Sequence, residues 1–120
     1  SYTEKSKTWM TQGLCQQRYG NAVEAEISFT KSYELDPNNP VSAYNLALLL
    51  FQSDNFVKSQ FYIRRLNNSS YAHAESLWLG IKVERQLKNT EAMMQLASQL
   101  KKRFSDSREY AAFEKRLFNE

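Results

Sequence analysis

The sequence predicts an all-α fold of helix pairs repeated along the chain. Three observations lead there. Only three glycines and two prolines punctuate 120 residues, too few for a chain of many tight β turns. Alanine, leucine, glutamate, glutamine and lysine, which favour helix, are plentiful. Residue types also recur at a fixed interval. Gly13, Ala25 and Phe29 are followed 34 residues on by Ala47, Ser59 and Ile63, and 33 residues further by Gly80, Ala92 and Leu96. Such a period marks supersecondary units that bury their apolar faces by stacking.

Trp9, Gly13, Gly20, Ala25, Phe29 and Pro37 match the consensus of the tetratricopeptide repeat (TPR) in residue type and spacing. The resemblance implies a right-handed superhelix of about three helix pairs plus a C-terminal capping helix. The repeats fall at about 6–39, 40–72 and 73–106, with the cap at 107–118, in a single TPR domain covering 1–120. A one-residue deletion lies between Arg65 and His73, where the consensus proline is also missing.

The helices are expected at about 5–18, 22–35, 41–53, 56–67, 73–87, 90–103 and 107–118. Tyr19–Ala25 reads as the turn within the first pair, and Asn21-x-x-Glu24 as a capping box. Leu35–Pro40 reads as the turn between pairs, and Pro40 suits a helix start. Asp54 or Asn55, Asn89 and Ser107 are candidate N-caps for later helices. Small residues at Gly13, Ala47 and Gly80, and at Ala25, Ser59 and Ala92, let paired helices approach closely. Leu46, Phe29, Ile63, Leu79 and Leu96 fill the gaps between them. Tyr110, Phe113, Leu117 and Phe118 give the last helix one apolar face, with which it caps the stack.

The charge is only +3 at a pI near 9.0. The densest basic run, Lys101-Lys102-Arg103, suits a helix C-terminus rather than a nucleic-acid stripe. Cys15 is the sole cysteine, so neither an internal disulfide nor a thiolate metal cluster can form; it is expected to be a small buried hydrophobe. His73, the sole histidine, is expected on the surface or at a helix cap. No phosphate-binding glycine loop is present. These residues point to no catalytic chemistry and to no cofactor. No apolar run reaches the ~18 residues of a membrane span. The absence of an initiator methionine and the linker-like character of Ser1–Lys7 suggest the C-terminal part of a longer protein.

The TPR resemblance further implies a concave groove lined by the first helix of each pair. Its expected partner-binding residues are Met10, Leu14 and Arg18 in the first repeat, Tyr44, Leu48, Phe51 and Gln52 in the second, and Leu77, Ile81 and Arg85 in the third. The floor is apolar and aromatic with charge at one rim, which suits an apolar peptide or helix. Met10 and Leu14 stand where carboxylate-clamp TPRs carry lysine and asparagine, so a chaperone-tail partner is not expected.

Glu75-Ser76-Leu77-Trp78-Leu79-Gly80-Ile81-Lys82-Val83-Glu84-Arg85-Gln86-Leu87-Lys88-Asn89, with Gln99–Ser107, resembles the C-terminal repeat of the PilF/PilW family. These are TPR lipoproteins of type IV pilus biogenesis, also called pilotins. Gly13-Leu14-Cys15, Ala25-Glu26 and Pro37 resemble the preceding repeat. Lys88 stands where the family usually has glycine, and Ser105 where it usually has proline. The resemblance implies a non-catalytic binding protein at the periplasmic face of the outer membrane. It would help the pilus secretin reach that membrane and assemble as a multimer, anchored by an N-terminal lipid absent from this chain. The alternative is a general TPR adaptor for an apolar peptide or helix of another partner.

Overall fold

The computed structural model describes all 120 residues, Ser1–Glu120. Seven helices and no strand make the fold all-α, as the repeat pattern predicts. They are α1 Tyr2–Arg18, α2 Ala22–Leu35, α3 Pro40–Gln52, α4 Phe56–Asn67, α5 Ala74–Gln86, α6 Thr90–Arg103 and α7 Arg108–Glu114. The chain forms two compact units, Ser1–Asn55 with α1–α3 and Phe56–Glu120 with α4–α7. The boundary falls between the two helices of the expected second repeat.

In the first unit, α2 packs against both α1 and α3. Ala25 and Phe29 of α2 are fully buried. Gly13 admits them: a Cβ there would stand 2.8 Å from the Phe29 ring. Leu46, Ala47, Leu49 and Leu50 of α3 complete this core. In the second unit, α5 packs against α4, α6 and α7. A Cβ on Gly80 would lie 2.7 Å from Asn67 Nδ2 and 3.0 Å from Leu96 Cδ1. Ile63, Leu79 and Leu100 are buried there, whereas Leu96 and Ala92 are only half-buried.

Four helices end on one backbone device. Gly20, Asp54, Lys88 and Arg116 all have positive φ, at 79°, 62°, 61° and 57°. The next residue's N–H then reaches a carbonyl five residues back: Asn21 to Gln16, Asn55 to Leu50, Asn89 to Glu84 and Leu117 to Ala112, at 2.8–2.9 Å. This is the Schellman arrangement, which satisfies carbonyls left open at a helix end. Glycine adopts it without strain, and asparagine or aspartate at little cost. Lysine and arginine have neither advantage.

The caps differ in part from expectation. Asn39 accepts from the N–H groups of Val41 and Ser42, with Pro40 as the first residue of α3. Ser107 caps α7 by accepting from Tyr110 N–H at 3.0 Å. Asn21 occupies the N-cap of α2, but its side chain makes no cap bond, so the expected capping box is not formed. Asn89 likewise makes no cap bond, because its amide is drawn to Glu84. His73 is the N-cap of α5, and its backbone N–H donates to Ser76 Oγ at 2.8 Å. Cys15 is exposed rather than buried. The last helix stops at Glu114 instead of 118, because the positive φ of Arg116 turns the chain back on itself.

Two outcomes check this account by thermal or denaturant unfolding. Lys88→Gly relieves the left-handed strain and is expected to stabilise the chain by about 1 kcal/mol. Ala25→Leu adds carbons where no space exists and is expected to destabilise it by about 1–3 kcal/mol.

Candidate protein-binding site

In Ser1–Asn55, a buried polar cluster fixes the helices that carry the expected binding face. The Ser6 and Ser32 hydroxyls lie 2.9 Å apart, each 2.8 Å from the other's backbone carbonyl. Ser42 Oγ lies 2.5 Å from Ser32 Oγ. Asn39 Nδ2 donates to Ser6 Oγ at 3.2 Å and to the Met10 sulfur at 3.5 Å. All four polar residues are buried and satisfied by one another. Sliding α1 along α2 would leave these hydroxyls unpaired, so the cluster fixes register. Nothing in the apolar periodicity signalled it, because serine is a common surface residue.

This arrangement orients Met10, which is half-buried beside Asn39. One turn further along α1, Leu14 is 36% exposed, and Arg18 is exposed. The spacing of four puts the three on one face. On α3, Tyr44, Leu48 and Phe51 are half-buried and Gln52 is exposed. The expected residues of the first two repeats thus retain accessible surface within one unit. Both helices thus carry accessible apolar residues, followed by Arg18 on α1 and Gln52 on α3.

The third repeat behaves differently. Leu77 and Ile81 are both 0% exposed, inside a cluster with Trp78, Ala97, Leu100 and Phe113. Neither offers surface to a partner, which corrects the sequence expectation for this pair. The reason is local: α7 packs on α5 and α6, and the chain beyond it folds back toward Trp78. Arg85 remains exposed, with its guanidinium carbon 4.3 Å from the centroid of Phe118.

Beside it, Glu84 is only 1% exposed. Arg64 Nε donates to Glu84 Oε2 at 2.7 Å and Arg64 Nη2 to Oε1 at 3.1 Å. Gln60 and Asn89 amides donate to Oε1 at 2.9 and 3.0 Å. Burial pushes the Glu84 carboxyl up. The bonds from Arg64, Asn89 and Gln60, with the Arg64 charge, outweigh it and hold the carboxyl below its ordinary value. Here α4, α5 and the turn before α6 are tied together. Both carboxylate oxygens accept hydrogen bonds, so Glu84 holds these elements together. No group of three or more His, Cys, Asp or Glu side chains is placed to hold a metal ion. No helix is long and apolar enough to cross a membrane.

The sign of the Glu84 shift gives a pH dependence. A folded value below the unfolded one contributes stability that is complete above about pH 4.5 and is lost as pH falls through the folded value. Glu84→Gln removes the charge-assisted bonds from a half-exposed Arg64 and is therefore expected to cost about 1–3 kcal/mol at neutral pH. It should also flatten the acid limb of stability against pH, measured by urea unfolding from pH 3 to pH 7.

No protein-family model matches the chain. The type IV pilus assembly protein PilF of Pseudomonas aeruginosa is 27% identical to it over 113 residues, covering 94% of this chain and 45% of PilF. A solved structure of P. aeruginosa PilF matches the fold with a TM-score of 0.84 at 27% identity, over 96% of this chain and 52% of the other. The chain thus spans about half the length of the relative it matches.

Proposed function

From the likeness to PilF in sequence and fold, we propose that the chain is a PilF-like tetratricopeptide-repeat protein and a protein-binding module of type IV pilus biogenesis. It acts as a pilotin: it binds the pilus secretin, escorts it to the outer membrane and promotes its assembly as a multimer. It works at the periplasmic face of that membrane, held by a lipid on a part of the protein outside these residues. Its action is binding rather than catalysis. The observation that carries this reading is the likeness to PilF, which runs through nearly the whole chain in both sequence and fold.

The grip falls to α1 and α3. Met10, Leu14, Tyr44, Leu48 and Phe51 supply apolar area, and Arg18 and Gln52 supply polar contacts. A helix or extended segment of the secretin with apolar residues at helical or alternating spacing would suit such a face. Buried apolar anchors ringed by polar groups are where binding energy concentrates.

The test is retention of the chain on the immobilised periplasmic part of a type IV pilus secretin. The unaltered chain is expected to be retained. Leu14→Glu keeps a good helix former at an exposed position, so its melting temperature should not move. Its affinity should fall by about tenfold or more, the loss of some 1.4 kcal/mol. Retention unaffected by Leu14→Glu would move the site off α1. No retention of the unaltered chain would leave an adaptor for another apolar segment as the better reading.

A further inference from the structure

Beyond α7 the chain leaves helical geometry at Arg116 and docks back on α5. The Phe118 ring stacks on the indole of Trp78, with centroids 5.7 Å apart and planes at 19°. Arg85 covers Phe118 with its guanidinium carbon 4.3 Å from the centroid. The backbone carbonyl oxygen of Glu120 accepts from Trp78 Nε1 at 2.8 Å and from Lys82 Nζ at 3.1 Å. Trp78, Lys82 and Arg85 are spaced four and three apart on α5, so one helix face presents all three.

These contacts have the form of a recognition site. An indole face and a guanidinium grip an aromatic ring, and two N–H donors grip a carbonyl two residues further on. Offset stacking and cation–π contact select the ring. The paired donors select an acceptor at a fixed distance from it. The occupant is held by side-chain contacts rather than by helix or sheet, since residues 115–120 follow the end of α7.

We propose that Trp78, Lys82 and Arg85 form a binding site for a peptide segment carrying an aromatic residue and, two residues later, a free backbone carbonyl. The chain's own Leu117–Glu120 fills this site in cis, and a partner segment of the same chemistry takes it over in trans. The inference rests only on contacts within Phe56–Glu120 and stands apart from the pilus reading. It adds a second face, on α5, to the one on α1 and α3. A tethered occupant acts at an effective concentration on the order of millimolar. A free ligand therefore binds weakly until the tail is weakened.

The probe is a synthetic peptide of residues 116–120 of this chain, blocked at both ends and fluorescently labelled. It is titrated by anisotropy into the full chain carrying Phe118→Ala. Saturable binding is expected, at least about tenfold tighter than to the unaltered chain. Adding Arg85→Ala, or replacing the phenylalanine of the peptide by alanine, should abolish it. Equal binding to both chains, or no saturable binding to a Phe118→Ala chain with unchanged helicity, overturns the proposal. Should Phe118→Ala fail to fold, excess peptide is added to the unaltered chain and the indole N–H resonances are followed by NMR. Movement of the Trp78 signal alone supports the site. Movement of neither signal, or of Trp9 equally, overturns it.

Discussion

The distance at which paired helices meet governs the rest of this structure. At Gly13 and Gly80 no Cβ fits: Phe29 already occupies one space, and Asn67 and Leu96 the other. Glycine within a helix costs up to about 1 kcal/mol against alanine. Full burial of a phenylalanine is worth roughly 1.5–3 kcal/mol, so the exchange favours close packing. It also decides which surface is left. With α1 pressed against α2 through Gly13, the side of α1 bearing Met10, Leu14 and Arg18 retains solvent exposure. The proposed binding face thus lies beside the packing face, with Met10 at their border.

Buried polar groups supply what apolar packing does not. Apolar contacts are non-directional and tolerate sliding. The Ser6, Ser32, Ser42 and Asn39 cluster tolerates none, because each buried hydroxyl or amide needs its partner at bonding distance. Glu84 does the same for α4, α5 and the turn at Asn89. Buried ion pairs contribute little net stability over apolar substitutes of the same shape. Their effect here is to fix one arrangement of the helices, on which both candidate binding faces depend.

Much of this was legible in the sequence. The recurrence from Gly13 to Ala47 to Gly80 located close helix contacts, and helix boundaries followed from punctuation and period. Lys88 was visible as a departure from glycine, and its φ of 61° shows the backbone keeping the glycine conformation regardless. Tertiary contacts account for the remainder. Leu77 and Ile81 lie at groove-facing spacing, but α7 and the returning tail cover their side of α5, and no local pattern encodes a chain reversal at an arginine. The apolar spacing of Tyr110, Phe113, Leu117 and Phe118 suggested one continuous helical face. Phe118 does pack against the same cluster, but from a turn. Nothing local marks Glu84 as buried, because its partners Gln60 and Arg64 lie 24 and 20 residues away.

The proposed binding role rests on similarity to the type IV pilus assembly protein PilF and on the accessible apolar residues of α1 and α3. The most direct test of that account is amide hydrogen exchange of the chain alone and mixed with the periplasmic part of the secretin. The account predicts added protection on α1 and α3, centred on the turns bearing Leu14 and Leu48, with α2 unchanged. Protection confined to α2, or none with the secretin in large excess, would contradict it.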